Sequence, residues 1–108
     1  MEKPSFYQQV YDIVALIPKG RITTYGAIAK ALGSARSSRL VGTALIAAHH
    51  PNLNLPIHRV VNSAGLLTGK SHYHHLTMQE LLEADGIQII NDQVQNFNKI
   101  FWDPLTEL

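Results

Sequence analysis

Cysteine is missing from all 108 residues. That absence excludes disulfides, thiolate metal sites and cysteine nucleophiles together. Carboxylates are missing from one long stretch, since no Asp or Glu occurs between Asp12 and Glu80. Long apolar runs are missing as well. None approaches the ~20 residues that a membrane-crossing helix needs, so no membrane partner is expected. The opening residues Met1-Glu2-Lys3-Pro4 lead straight into an amphipathic pattern without an apolar signal segment, so a cytoplasmic protein is expected.

What remains is a chain with 45% apolar residues, enough for the core of one small domain over residues 1–108. The net charge is only +1, but its distribution is uneven. The stretch without acids holds Lys19, Arg21, Lys30, Arg36, Arg39, Arg59, Lys70 and all six histidines. The acids lie outside it, Glu2 and Asp12 ahead and Glu80, Glu83, Asp85, Asp92, Asp103 and Glu107 behind. Such segregation suggests one face made for a polyanion.

Phe6, Val10, Ile13, Val14 and Ile17 recur at helical spacing and predict an amphipathic helix over about 5–17, ended by Pro18-Lys19-Gly20. Arg21 to Thr24 reads as a short extended piece, with a Thr able to cap the helix predicted over Tyr25–Leu32. Gly33-Ser34 closes that helix, and a third is predicted over Ser37–Ala48. Two short helices around a Gly-bearing turn match the helix-turn-helix pattern. In that motif the second helix enters the groove with its first residues foremost, here Arg36, Ser37, Ser38 and Arg39. Leu66 to His75 reads as a loop or wing. Thr77-Met78-Gln79-Glu80 is a capping-box sequence for a fourth helix to about Ala84, and Gly86 stops it. Ile87 to Phe97 fits a hairpin around Asn91-Asp92, a weaker turn than Asn-Gly. The fold class expected is mostly α, a winged helix-turn-helix with a three-helix core and a small C-terminal β-hairpin.

Four blocks carry a resemblance: Ile17-Pro18-Lys19-Gly20, Thr24-Tyr25-Gly26-Ala27-Ile28-Ala29, Ser38-Arg39-Leu40-Val41-Gly42 and Pro56-Ile57-His58-Arg59-Val60. In this order and near this spacing they resemble the DNA-binding domain of the O6-alkylguanine-DNA alkyltransferases. That family carries a Pro-Cys-His-Arg motif, and Ile57 stands where its cysteine would be. The substitution, the short chain and the C-terminal extension through Phe101-Trp102 resemble the alkyltransferase-like branch. That branch usually has Trp at the substituted position, so Ile57 departs from it too.

The resemblance implies binding of O6-alkylguanine in double-stranded DNA by nucleotide flipping, without enzymatic transfer. An isoleucine carbon has no lone pair with which to accept an alkyl group, and no other cysteine can replace it. By resemblance, Tyr25 crowds the phosphate beside the target, and Arg39 enters the gap left in the stack. DNA contacts are expected from Tyr25, Arg36, Ser37, Ser38, Arg39 and Ser63. The lesion pocket is expected from Tyr25, Ile57, His58, Arg59, Val60, Lys70 and Ser71, with Lys70 as a cation facing the damaged base. His58 and Asp85 fit the family's activating positions, with Asp85 in place of the usual Glu, and are expected to survive as a hydrogen-bonded pair. The relatives imply marking of the lesion for nucleotide excision repair proteins and shielding from true alkyltransferases. No cofactor is implied, and a monomer is expected.

Other readings compete with this one. A plain helix-turn-helix regulator would bind DNA without lesion preference, and a protein-interaction module on the same scaffold would not bind DNA. A hydrolase with Ser63 or Ser71 beside His58 and Asp85 lacks an identifiable oxyanion site. His72, His74 and His75, with His49 and His50, invite a metal reading. Without carboxylates or thiolates beside them they are expected to be solvated, and no metal is expected.

Overall fold

The computed structural model describes residues 5–34, 36–48, 54–68, 70 and 77–108. Helix α1 spans Phe6–Val14, with the Ser5 hydroxyl accepting from the Gln8 amide at 3.1 Å as its cap. It buries Val10, Ile13 and Val14. The helix is one turn shorter than its apolar spacing predicts. Pro18 disfavours helical backbone at Ile17. The chain instead tightens through bonds from Leu16 to the Ile13 carbonyl and from Ile17 to the Val14 carbonyl. Ile17 keeps its place in the core all the same.

Strand β1, Thr23–Thr24, leads directly into α2, Tyr25–Ala31. The Thr24 hydroxyl caps α2 by accepting from Ala27 at 3.0 Å. At its other end Gly33 takes φ +77°, a left-handed conformation that costs glycine little. The Gly33 amide bonds the Lys30 carbonyl and the Ser34 amide the Ala29 carbonyl, which together stop the helix and turn the chain. Helix α3, Ser38–Ala48, then packs back on α2 and α1, burying Val41, Ala44, Leu45 and Ala48. The Tyr11 hydroxyl donates to the Ala44 carbonyl at 2.8 Å and ties α1 to α3.

A short 3-10 turn, Ile57–Arg59, precedes β2, Val60–Val61. β2 pairs in parallel with β1, Thr23 opposite Val60 and Thr24 opposite Val61. Alternate strand residues face opposite sides. Val60 accordingly joins the core of α1–α3, and Val61 joins a second core with Ile22, Leu67, Met78, Leu82, Ile87, Ile89 and Val94. This strand pair, which links the two cores, was not foreseen, because nothing periodic marks pieces of two residues.

Helix α4, Met78–Ala84, has the full capping box, with Thr77 and Glu80 bonding each other's backbone. Strands β3, Ile89–Ile90, and β4, Gln93–Val94, form the antiparallel hairpin. Asn91 and Asp92 both take positive φ, +52° and +61°, the backbone that a two-residue hairpin turn requires. Leu66 bridges to Gln93, so the segment after β2 lies along the hairpin. A final short helix, α5, Phe97–Ile100, had no sequence signal. Beyond it Trp102 is buried in the first core, and its amide donates to the Ile22 carbonyl at 2.7 Å. The architecture is therefore mostly helical with small strands. No helix among the described residues is long and apolar enough to cross a membrane.

Candidate nucleic-acid interface

Tyr25 is the first residue of α2 and is half-buried. Its ring lies over Gly42 of α3, where an added Cβ would sit 3.9 Å from Tyr25 Cδ1. Gly42 is three residues after Arg39, so both project from neighbouring turns of α3. The fold thus brings Tyr25 and the start of α3 together, as the paired α2 and α3 require. Arg39 is exposed, and so are Arg36 and Lys30. Among the described residues none of these three has a carboxylate partner. Ser37 is engaged within the turn, its hydroxyl 2.5 Å from that of Ser34. Ser38 opens α3 and is half-buried.

Ser63 sits exposed in the turn that follows β2. Asn62 organises this turn, its side-chain oxygen accepting from the amides of Ala64 at 3.0 Å and Leu66 at 2.8 Å. Gly65 takes φ +78° here, with its amide bonded to the Asn62 carbonyl.

Ile57 begins the 3-10 turn and packs, half-buried, against the core of α1–α3. The next two side chains run to Asp85, the residue that ends α4. His58 Nε2 lies 2.9 Å from Asp85 Oδ2. Arg59 donates from Nε to the same oxygen at 2.8 Å, and from Nη2 to Oδ1 at 3.2 Å. Its Nη1 donates to the Ile17 carbonyl at 2.9 Å. The Asp85 side chain is only 8% exposed. Burial alone would raise its pKa, but the bonds from Arg59 and His58 outweigh that and hold the carboxyl below its usual range. Burial lowers the pKa of His58, with Arg59 adding to the effect, against the opposing pull of Asp85. At neutral pH the cluster therefore consists of one carboxylate, one guanidinium and a neutral imidazole. It joins the Ile57 turn, the end of α4 and the loop after α1.

The other residues named from the sequence fall differently. Val60 is 1% exposed and belongs to the core, so its side chain is not on a surface. Lys70 is exposed, and its ammonium pairs with the Asp92 carboxylate in the hairpin turn. Ser71 lies outside the described residues, as do His49, His50, His72, His74 and His75. Among the described residues no group of His, Cys, Asp or Glu could hold a metal ion. The acid partners of Lys70, Arg59 and Arg21 were not foreseen. Arg21 bonds the Ile100 and Phe101 carbonyls at 3.0 and 2.6 Å and Glu107 at 2.9 Å. The charge segregation was the visible signal for all three pairs, but sequence distance concealed who meets whom.

The sequence pattern of the 6-O-methylguanine DNA methyltransferase DNA-binding domain matches residues 5–87. Alkyltransferase-like protein 1 of Schizosaccharomyces pombe is 34% identical, over 96% of this chain and 100% of its own length. The DNA base-flipping protein of Escherichia coli is 38% identical, over 95% of this chain and 79% of its own. The crystal structure of S. pombe Atl1 in complex with damaged DNA containing O6-carboxymethylguanine superposes with a TM-score of 0.78 at 32% identity. That match covers 94% of this chain and 98% of the other. With most of its length matched in sequence, and the same architecture in three dimensions, the chain belongs to the family of the 6-O-methylguanine DNA methyltransferase DNA-binding domain.

Proposed function

We propose that this protein recognises O6-alkylguanine in DNA and leaves the alkyl group in place. The observation that carries the reading is Ile57 in the turn where the family's cysteine stands, in a chain without any cysteine. Alkyl transfer requires a nucleophile lone pair, and the Ile57 side chain offers only carbon and hydrogen. What it does offer is an apolar wall. An O6-alkyl group buried against it gains about 0.8 kcal/mol per methylene. His58 and Asp85, with no thiol to serve, act as a positioning pair for the turn that carries Ile57.

Helix α2, the Gly33 turn and α3 serve as a helix-turn-helix, with the segment after β2 and the hairpin as its wing. Lys30 and Arg36 meet phosphates, and Ser38 and Ser63 belong to the same DNA-facing set. A base stacked in the duplex cannot be inspected at O6 from all sides, so the nucleotide is rotated out. Tyr25, held over Gly42, favours that rotation, and Arg39 fills the vacated space and bonds the orphaned base. A planar, permanently charged guanidinium suits that role. The bound protein then marks the lesion for nucleotide excision repair.

Two measurements test this. Excess protein incubated with DNA carrying label on an O6-methyl group should acquire none of it, and stoichiometric transfer to the protein would falsify the proposal. In titrations, duplex with O6-methylguanine should bind more tightly than intact duplex. Arg39→Ala should cost about tenfold to a hundredfold on the lesion duplex and less on the intact one. Equal losses on both duplexes would leave a helix-turn-helix regulator without lesion recognition. No DNA affinity at all would leave a protein-interaction module.

A further inference from the structure

Gly42 lies inside α3, between the buried Val41 and the exposed Thr43. Glycine is a poor residue for a helix interior, because its backbone loses the most freedom on folding and it brings no side chain to pack. Two circumstances usually call for it, a left-handed backbone or a neighbour too close for a Cβ. Neither holds at Gly42. Its backbone is helical, and it is not one of the glycines with positive φ. Outside its own helix, an added Cβ would meet Tyr25 Cδ1 at 3.9 Å and Tyr25 Cε1 at 4.0 Å among the described residues. Both are ordinary van der Waals distances, so a methyl would pack on the ring edge without a clash. Helix α3 therefore lacks both helix propensity and an aromatic contact at one position, the position that faces Tyr25. Arg39 stands one turn before it.

On the lesion-recognition reading, we propose that Gly42 is a positioning residue for Tyr25. By leaving the ring edge uncovered, it lets the ring shift toward α3 as the nucleotide rotates out. In the stacked duplex the ring crowds the phosphate beside the target. That phosphate moves when the nucleotide turns about its backbone, so a ring fixed in one place cannot serve both geometries. Tyr25 is the first residue of α2 and is half-buried, so its core-facing side is held while the edge toward Gly42 has space. A methyl at Gly42 would close that space and pin the edge at its resting distance. Glycine here gives up stability for adjustability, and Gly→Ala changes at sites that accept a methyl commonly show the reverse exchange.

Gly42→Ala tests this, because fold and function should move in opposite directions. Its midpoint of urea unfolding should match or exceed that of the wild type. Its affinity for an O6-methylguanine duplex should fall about threefold to tenfold, the lower range of coupling between touching residues. Intact duplex should be affected less. A fluorescent base analogue beside the lesion should brighten less with Gly42→Ala than with the wild type. With Tyr25→Ala already in place, at salt low enough that both duplexes still bind, adding Gly42→Ala should change neither affinity. A further loss in that background would overturn the proposal, because the methyl would then obstruct the DNA itself. An unchanged lesion affinity in Gly42→Ala alone, or a lower unfolding midpoint, would overturn it as well, while the lesion preference of the wild type would still stand. A wild-type protein that binds both duplexes equally would overturn the lesion-recognition reading and the proposal with it.

Discussion

Lys30, Arg36 and Arg39 extend from α2, α3 and the turn between them with no carboxylate partner among the described residues. Arg21, Arg59 and Lys70 are each held by an acid from beyond Ala84, namely Glu107, Asp85 and Asp92. In the sequence all six belong to the same acid-free stretch. Folding divides them into cations that remain available and cations spent on internal pairs. Charge segregation along a chain is therefore not a map of a binding face. Here about half of it reports how the C-terminal segment is fastened to the helical core.

The largest effect should separate the two groups by stability. Arg59 and Asp85 form a nearly buried pair, with side-chain exposures of 16% and 8%. Removing one partner leaves a charge without compensation, which typically costs about 3–5 kcal/mol. Arg59→Ala should lose that much in urea unfolding. Arg36→Ala, on an exposed site, should stay within about 0.5 kcal/mol. A mild Arg59→Ala variant would mean that His58 alone satisfies Asp85, and the group of internally paired cations would lose its strongest member.

The next effect lies in binding. Each neutralised phosphate contributes about 0.9 to the slope of log affinity against log salt. With Lys30 and Arg36 as the phosphate contacts, the slope should be near two such increments. Arg36→Ala or Lys30→Ala should each remove about one of them on intact and damaged duplex alike. Arg21→Ala should leave the slope unchanged, since its guanidinium already bonds the Ile100 and Phe101 carbonyls and Glu107. A slope that falls with Arg21→Ala would move Arg21 into the first group.

Much of this architecture was legible because it rests on local rules. The helices followed from apolar spacing, the ends of α2 and α4 from Thr24, Gly33, Thr77 and Glu80, and the hairpin from its bounds. What escaped was non-local. The β1–β2 pair joins residues far apart in sequence through two-residue strands, and α5 is too short for a period to emerge. The site divides in the same way. Ile57, His58 and Arg59 were visible as one motif, whereas Asp92 sits in a turn whose residues look chosen for backbone shape alone. Val60 adjoins the motif in sequence and so is expected in the pocket. Strand alternation sends it into the core instead.

The smallest effect is a pH dependence confined to the paired group. Burial, with help from Arg59, holds the pKa of His58 below the 6.5 of a free imidazole. The unfolded chain therefore takes up a proton at that position first as pH falls. Stability should decline from just below 6.5 until the folded-state pKa is passed, and then level off for this group. Asp85 works at lower pH. Its folded pKa lies below 3.8, so its contribution is present above that value and is lost as pH falls through the folded one. Acid should thus weaken the fold in two steps. His58→Gln keeps an N–H donor for Asp85 but cannot titrate. Unfolding free energies measured between about pH 7 and pH 5 should slope less for His58→Gln than for the wild type, while the lower step persists. Arg36→Ala, which touches neither group, should reproduce the wild-type profile. Equal slopes in His58→Gln and the wild type would place the upper step on another histidine and remove His58 from the buried cluster's energetics.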